Sequence, residues 1–124
     1  MPLYRCHTPV DALSDEQRSA MAKAITEIHC SETTAPPTFV HVQFHDAPAG
    51  QATPFAIHGG LRAGRPRDVT DRIVKRATEA VADIAGIPVD DVAMRTSETP
   101  ASWIFEGGRV LPEPGDEAAW LADG

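Results

Sequence analysis

The side chains of this protein that could do chemistry are scattered along the sequence. Pro2 directly follows Met1. Once the methionine is removed, as expected before so small a residue, the ring nitrogen is a rigidly held secondary amine. The pKa of an amine falls in an apolar or cation-rich pocket, so this one could exchange protons near neutral pH. Arg62 and Arg65 bracket Ala63 and Gly64, and two guanidinium forks converging in such a turn can grip a planar carboxylate through paired, charge-assisted hydrogen bonds. Glu106 follows Trp103-Ile104-Phe105 and precedes Gly107-Gly108. That context reads as a carboxylate in an apolar lip, where partial drying raises its pKa and suits a general base. His29 lies at the edge of an apolar helical stripe, where it can hydrogen-bond a substrate. Taken singly, each residue also has a plainer reading: a proline opening an edge strand, a solvated arginine pair, a surface glutamate, a histidine near a helix C-terminus.

Other chemistries find less support. His41 and His45 share a strand face, but four residues of strand separate them by about 13 Å. One ordinary metal ion with ligands at ~2 Å cannot take both, so no metal is expected, and a role in polar contacts between subunits fits them better. The glycine-rich stretch His58 to Gly64 matches neither the dinucleotide-binding spacing nor a phosphate loop ending in Lys-Ser/Thr. No cofactor is expected. Lys+Arg 11 against Asp+Glu 18 leaves a net charge of −7, which disfavours nucleic acid as a partner. With only Cys6 and Cys30 present, neither a disulfide framework nor a Cys-x-x-Cys site can form. A reducing cytoplasmic location is expected. No run approaches the ~20 apolar residues of a spanning helix, so no membrane is expected either.

The elements that must position these residues follow from periodicity. Met21, Ala24, Ile25 and Ile28 fall at helical spacing behind Ser14-x-x-Gln17, a capping-box pattern, predicting a helix over roughly Ser14 to Ser31. Val69, Ile73, Val74, Ala77, Ala80, Val81 and Ile84 form a second stripe, opened near Pro66 and closed by Gly86 with Pro88 beyond. Short β-prone runs precede each helix, Leu3 to Thr8 and Phe55 to His58, and others follow, Phe39 to His45 and Val92 to Ser97. Pro36 to Ala49 also aligns weakly with Pro88 to Ala101. The expectation is one α+β domain over residues 1–124, made of duplicated β-α-β units at about 2–50 and 54–106, with a C-terminal hairpin and tail at 107–124. Right-handed crossovers make the paired strands of each unit parallel and put both helices on one face of a four-stranded sheet. Its other, mixed face is too large to leave open, so packing against other subunits in a closed ring is expected.

A Met-Pro start on a first strand, the Arg62-Ala-Gly-Arg65 turn into a helix, and Glu98-Thr-Pro followed by Trp103-Ile-Phe-Glu106-Gly-Gly-Arg109 together resemble the tautomerase superfamily. Within it, the likeness is to the cis-3-chloroacrylic acid dehalogenase group. It extends over nearly the whole chain, with Ala22-Lys-Ala-Ile-Thr, His29, Asp46-Ala-Pro-Ala-Gly and Gly108-Arg-Val-Leu-Pro-Glu-Pro-Gly115 in the expected order. The resemblance implies a homotrimer acting without a cofactor on small carboxylic acids. It assigns Pro2 as the catalytic amine, Arg62 and Arg65 as carboxylate-binding residues, His29 as a substrate-positioning residue, and Glu106 as the group that activates water. Arg95 stands where the dehalogenases carry a water-orienting tyrosine, and would be a further substrate-contacting residue. With that exchange, the implied activity is a promiscuous tautomerase of 2-keto or unsaturated acids with weak hydratase or dehalogenase activity on 3-haloacrylates. The alternatives are a dedicated cis-3-chloroacrylate hydrolytic dehalogenase and a non-catalytic trimeric binding or scaffold protein.

Overall fold

The computed structural model describes residues 1–124. The main elements run β1 (Leu3–Thr8), α1 (Asp15–Glu32), β2 (His41–Asp46), β3 (Phe55–Arg62), α2 (Arg67–Ala85) and β4 (Val92–Thr99). A two-stranded hairpin, β5 (Phe105–Glu106) and β6 (Arg109–Val110), and a short helix, α3 (Glu117–Ala122), complete the chain. Ser14 closes the capping box on α1, accepting from the Gln17 backbone N–H while the Gln17 side chain accepts from its own. Gly86 ends α2 in the left-handed conformation that a Cβ would disfavour.

The strands form one four-stranded sheet in the order β2-β1-β3-β4. The outer pairs β1/β2 and β3/β4 are parallel, and the central pair β1/β3 is antiparallel. Both helices cover one face and pack on each other, where Glu32 of α1 accepts from Arg72 and Arg76 of α2 at 2.9 and 3.0 Å. Between helices and sheet lie Met21 and Ile25 of α1, Ile73 and Val81 of α2, and Tyr4, Cys6, Ile57 and Leu61 of the central strands. On the opposite face His41, Gln43, His45, Arg5, Ala93 and Arg95 are exposed.

Two element boundaries differ from the sequence expectation. Pro37–Phe39 forms a 3-10 turn, so β2 begins at His41, and Pro88 introduces the same kind of turn before β4. β3 continues past His58 to Arg62, running through Gly59 and Gly60. Glycine weakens a strand unless a neighbour must come close, and here one does, because Gly59 pairs with Tyr4 and the Tyr4 ring lies across it.

A Cβ at Gly59 would meet Tyr4 Cε1 at 3.0 Å and Met94 Cε at 3.5 Å. Gly59→Ala is therefore expected to cost about 1–3 kcal/mol through overpacking. Urea unfolding measures it, and an unchanged midpoint would mean that the Tyr4 ring is free to move.

Candidate active site

Because β1 runs antiparallel to β3, the beginning of β1 lies beside the end of β3, with Leu3 opposite Gly60. Pro2 is thereby brought next to the turn that carries Arg62 and Arg65. Its ring is fully buried, on the same side of the strand as Tyr4 and about 7 Å from it at strand spacing. Tyr4 carries the next link, with its hydroxyl 2.7 Å from His29 Nδ1 and the two rings edge to face at 5.8 Å.

His29 is fully buried, not at the edge of the stripe as its sequence position suggests. Tyr4 has no Cβ opposite it at Gly59, so its ring lies low over the sheet and its hydroxyl reaches the helix. Burial first, then the charges of Arg65 and Arg62 and the amino terminus, push the His29 pKa down to about 3. The imidazole is neutral over the physiological range. Burial also raises the Tyr4 hydroxyl, so the phenol keeps its proton and can donate it to Nδ1. In that tautomer the neutral ring carries its hydrogen on Nε2, a buried atom without a partner.

The two arginines do different work. Arg62 is largely engaged: its Nη2 donates to Glu117 Oε2 at 2.7 Å, its Nη1 donates to the Pro112 carbonyl at 2.6 Å, and its guanidinium carbon sits 5.5 Å from the Phe39 ring centre, leaving Nε buried without a partner. The expectation of two free forks converging on a carboxylate therefore does not hold for Arg62. A buried guanidinium requires a counter-charge, and Glu117 supplies it from α3. Burial by itself raises the Glu117 carboxyl, but hydrogen bonds from Arg62, Thr34 and the Gly115 backbone outweigh it and hold the pKa at about 2. Arg65 has no such partner. Both of its terminal nitrogens are buried and unpaired, and burial together with the Arg62 charge lowers its pKa.

Glu106 lies on the other side of the amino terminus, where its Oε2 accepts from the Met1 amine at 3.1 Å. The expected apolar lip is not formed within this chain: Trp103 and Phe105 are 74% and 64% exposed, and only Ile104 turns inward. The Met1 side chain packs on the cluster of Ala35, Phe39 and Leu111, as do Ile104 and Trp120. Arg95 is not part of this group. It is exposed on β4, paired with His58 on the sheet face opposite the helices.

Pro2, His29, Arg62, Arg65 and Glu106 thus gather at one end of the sheet, while Arg95 does not. Tyr4 and Glu117 were not among the residues singled out from sequence. Tyr4 reads as an ordinary core residue of a strand. Glu117 sits in a polar tail where an acid reads as solvated, and the one available signal was that a buried arginine needs an anion.

The model of an oxalocrotonate tautomerase enzyme family, Tautomerase_3, matches residues 1–63. No curated protein matches the chain. Among solved structures, N1, described as a member of the cis-3-chloroacrylic acid dehalogenase family, is 31% identical with a TM-score of 0.91, over 98% of this chain and 91% of that one. Native Ps01740 is 38% identical with a TM-score of 0.78, over 85% of this chain and 100% of that one. A fused 4-OT described as an asymmetric trimer is 17% identical with a TM-score of 0.78, over 96% of this chain and 98% of that one, and shares the fold.

The buried His29 has a consequence for stability. The unfolded imidazole takes up a proton near its ordinary 6.5 and the folded one only near 3. Between those values the unfolded state binds more protons, so stability falls as pH falls. Glu117 acts in the same direction, but only below its ordinary 4.5. Between pH 6.5 and 4.5, His29→Gln is expected to flatten the pH dependence of unfolding by up to about 1.4 kcal/mol per unit. Urea unfolding at several pH values reads this directly; an unchanged slope would show that His29 titrates normally.

Proposed function

Because the chain belongs to the oxalocrotonate tautomerase family matched over its first half, with kinship to the cis-3-chloroacrylic acid dehalogenase family, we propose that it is a cofactor-independent proton-transfer enzyme. Its substrates in this reading are small 2-keto or unsaturated carboxylic acids, and its catalytic group is the amine of Pro2 after removal of Met1. The observation that carries the proposal is the pair of unpartnered donors beside Pro2: the terminal nitrogens of Arg65 and Nε2 of His29, all buried. Buried donors without acceptors are uncommon in native proteins, and a substrate carboxylate with its adjacent oxygen would satisfy both.

In the proton-transfer step, the neutral Pro2 nitrogen removes a proton from C3 of a 2-keto acid. The electron pair of the broken C–H bond forms the enolate, whose oxygen accepts a hydrogen bond from the Nε2–H of His29, which keeps its proton. The carboxylate stays on Arg65 throughout. Return of the proton to carbon or oxygen completes the tautomerisation.

One contact favours a second activity at the same site. Glu106 bonds the Met1 amine, so loss of Met1 leaves its carboxylate bordering space next to Pro2, where water can sit. A protonated Pro2 would deliver its proton to C2 of an unsaturated acid while Glu106 takes a proton from water adding at C3. On a 3-haloacrylate the resulting halohydrin collapses to an aldehyde and hydrogen halide. Arg95, away from this pocket, supports weak rather than dedicated dehalogenation.

We further read the protein as a homotrimer. The sheet face bearing Arg5, His45 and Arg95 is open, and Trp103, Phe105 and Val110 of the hairpin region are exposed in a single chain. Burying such surface favours association, and fused 4-OT relatives of the same fold are described as trimers. On this reading Arg95 is an interface residue.

With the mature terminus verified by intact mass, Pro2→Ala is expected to lower kcat/KM on an enolised 2-keto acid by about 100-fold or more. Arg65→Lys keeps the charge but loses the fork, and is expected to raise KM by about tenfold or more. A scaffold protein would show no turnover to lose. Light scattering is expected to return the mass of three chains, and a single-chain mass would refute the trimer.

A further inference from the structure

We propose that the pocket takes a monocarboxylic acid with an apolar tail about the size of a methionine side chain, in preference to a bare three-carbon acid or a dicarboxylic acid. The inference deepens the proton-transfer reading and rests on it for the position of the reacting carbon. Two independent observations carry it.

The first is what Met1 occupies. The methionine side chain packs on the cluster of Ala35, Phe39 and Leu111, on which Ile104 and Trp120 also pack, with its Cε 3.4 Å from where a Cβ on Gly60 would stand. The walls of this slot are themselves braced. Phe39 and Trp120 meet edge to face at 5.5 Å, Trp120 Nε1 donates to the Val110 carbonyl at 2.6 Å, and Arg109 covers the Trp120 ring at 3.9 Å. Met1 is attached to the nitrogen of Pro2. Its removal therefore opens the slot at the point where the reacting C3 must sit, and a chain extending from C3 follows the course of the departed side chain. The two guanidinium groups on its walls, Arg62 beside Phe39 and Arg109 over Trp120, already donate to Glu117 and to the Trp120 carbonyl.

The second is the charge of the site. Glu117 neutralises Arg62 in a pair with both side chains essentially inaccessible to solvent, so of the two guanidinium groups beside Pro2 only that of Arg65 keeps both terminal nitrogens buried and unpartnered. One cation matches one carboxylate. A second carboxylate in the slot would lose its hydration without gaining a partner, which is strongly unfavourable.

The test uses the mature trimer beginning at Pro2 and three acids of graded structure: pyruvate, 2-oxohexanoate and 2-oxoadipate. The chain of 2-oxohexanoate beyond its keto carbon has as many heavy atoms as a methionine side chain, and 2-oxoadipate ends a chain of the same kind in a carboxylate. Binding is measured by calorimetry, and C3 hydrogen exchange in deuterated water by NMR. The expected result is that 2-oxohexanoate binds at least tenfold more tightly than either of the others, given the contribution of each buried methylene, and exchanges fastest. Leu111→Trp and Ile104→Phe, made separately and checked for cooperative unfolding, each narrow the slot and are expected to cut the ratio of 2-oxohexanoate to pyruvate affinity by about tenfold. Equal affinity for pyruvate and 2-oxohexanoate, or tighter binding of 2-oxoadipate, overturns the inference. A tail preference in binding without exchange would uphold the slot and refute proton transfer, whereas exchange without a tail preference would refute the slot alone.

Discussion

The antiparallel pairing of β1 with β3 is the constraint from which the rest of the molecule follows. Each β-α-β half is internally parallel, and a parallel pair needs a long crossover, here a helix. Joining the halves through two antiparallel central strands puts both helices on one face. It also sets the start of one half beside the end of the first strand of the other. Pro2, which opens β1, meets the turn after β3 because of this junction and for no local reason. The same register puts Tyr4 opposite Gly59, and that vacancy lets the phenol lie flat enough to reach His29 on the helix above.

Around Pro2 the chain arranges unequal charges. Arg62 is buried and paired, and its partner Glu117 is held ionised against the cost of burial by two further donors, Thr34 and the Gly115 backbone. Arg65 is part-buried and unpaired. Such a division resolves a conflict between stability and binding: two uncompensated guanidinium groups in one dry cleft would repel each other, while two paired ones would have nothing left for a ligand. The neutral His29 completes the arrangement by offering a donor without adding a third positive charge. The short C-terminal helix therefore borders the candidate site, since it delivers Glu117 to Arg62 and Trp120 to Phe39.

The open face of the sheet follows a different logic. Arg5, His58 and Arg95 stand in one row across β1, β3 and β4, and burial together with the two arginines lowers the His58 pKa. A polar but half-covered row of this kind suits a surface that meets other copies of the chain. The exposed Trp103 and Phe105 beside Glu106 point the same way, because the lip that Glu106 lacks within one chain would have to be completed from outside it.

Much of this was legible in the linear sequence, and the reason is that it depends on local rules. The two helices and their caps at Ser14 and Gly86, and the succession of strands and helices along the chain, follow from periodicities and terminal residues that any stretch of chain must obey. The proline, histidine, arginine and glutamate candidates could be picked out by residue type and order. Distance and burial could not. That Arg62 is spent on Glu117 while Arg65 is left free, that His29 is neutral in the core against Tyr4, and that Arg95 faces away all depend on contacts between residues far apart in sequence, some by more than fifty positions. Sequence determined which groups are present and which local elements carry them. Only the tertiary structure decided which charges are neutralised, because desolvation and pairing depend on neighbours that come together when the sheet closes.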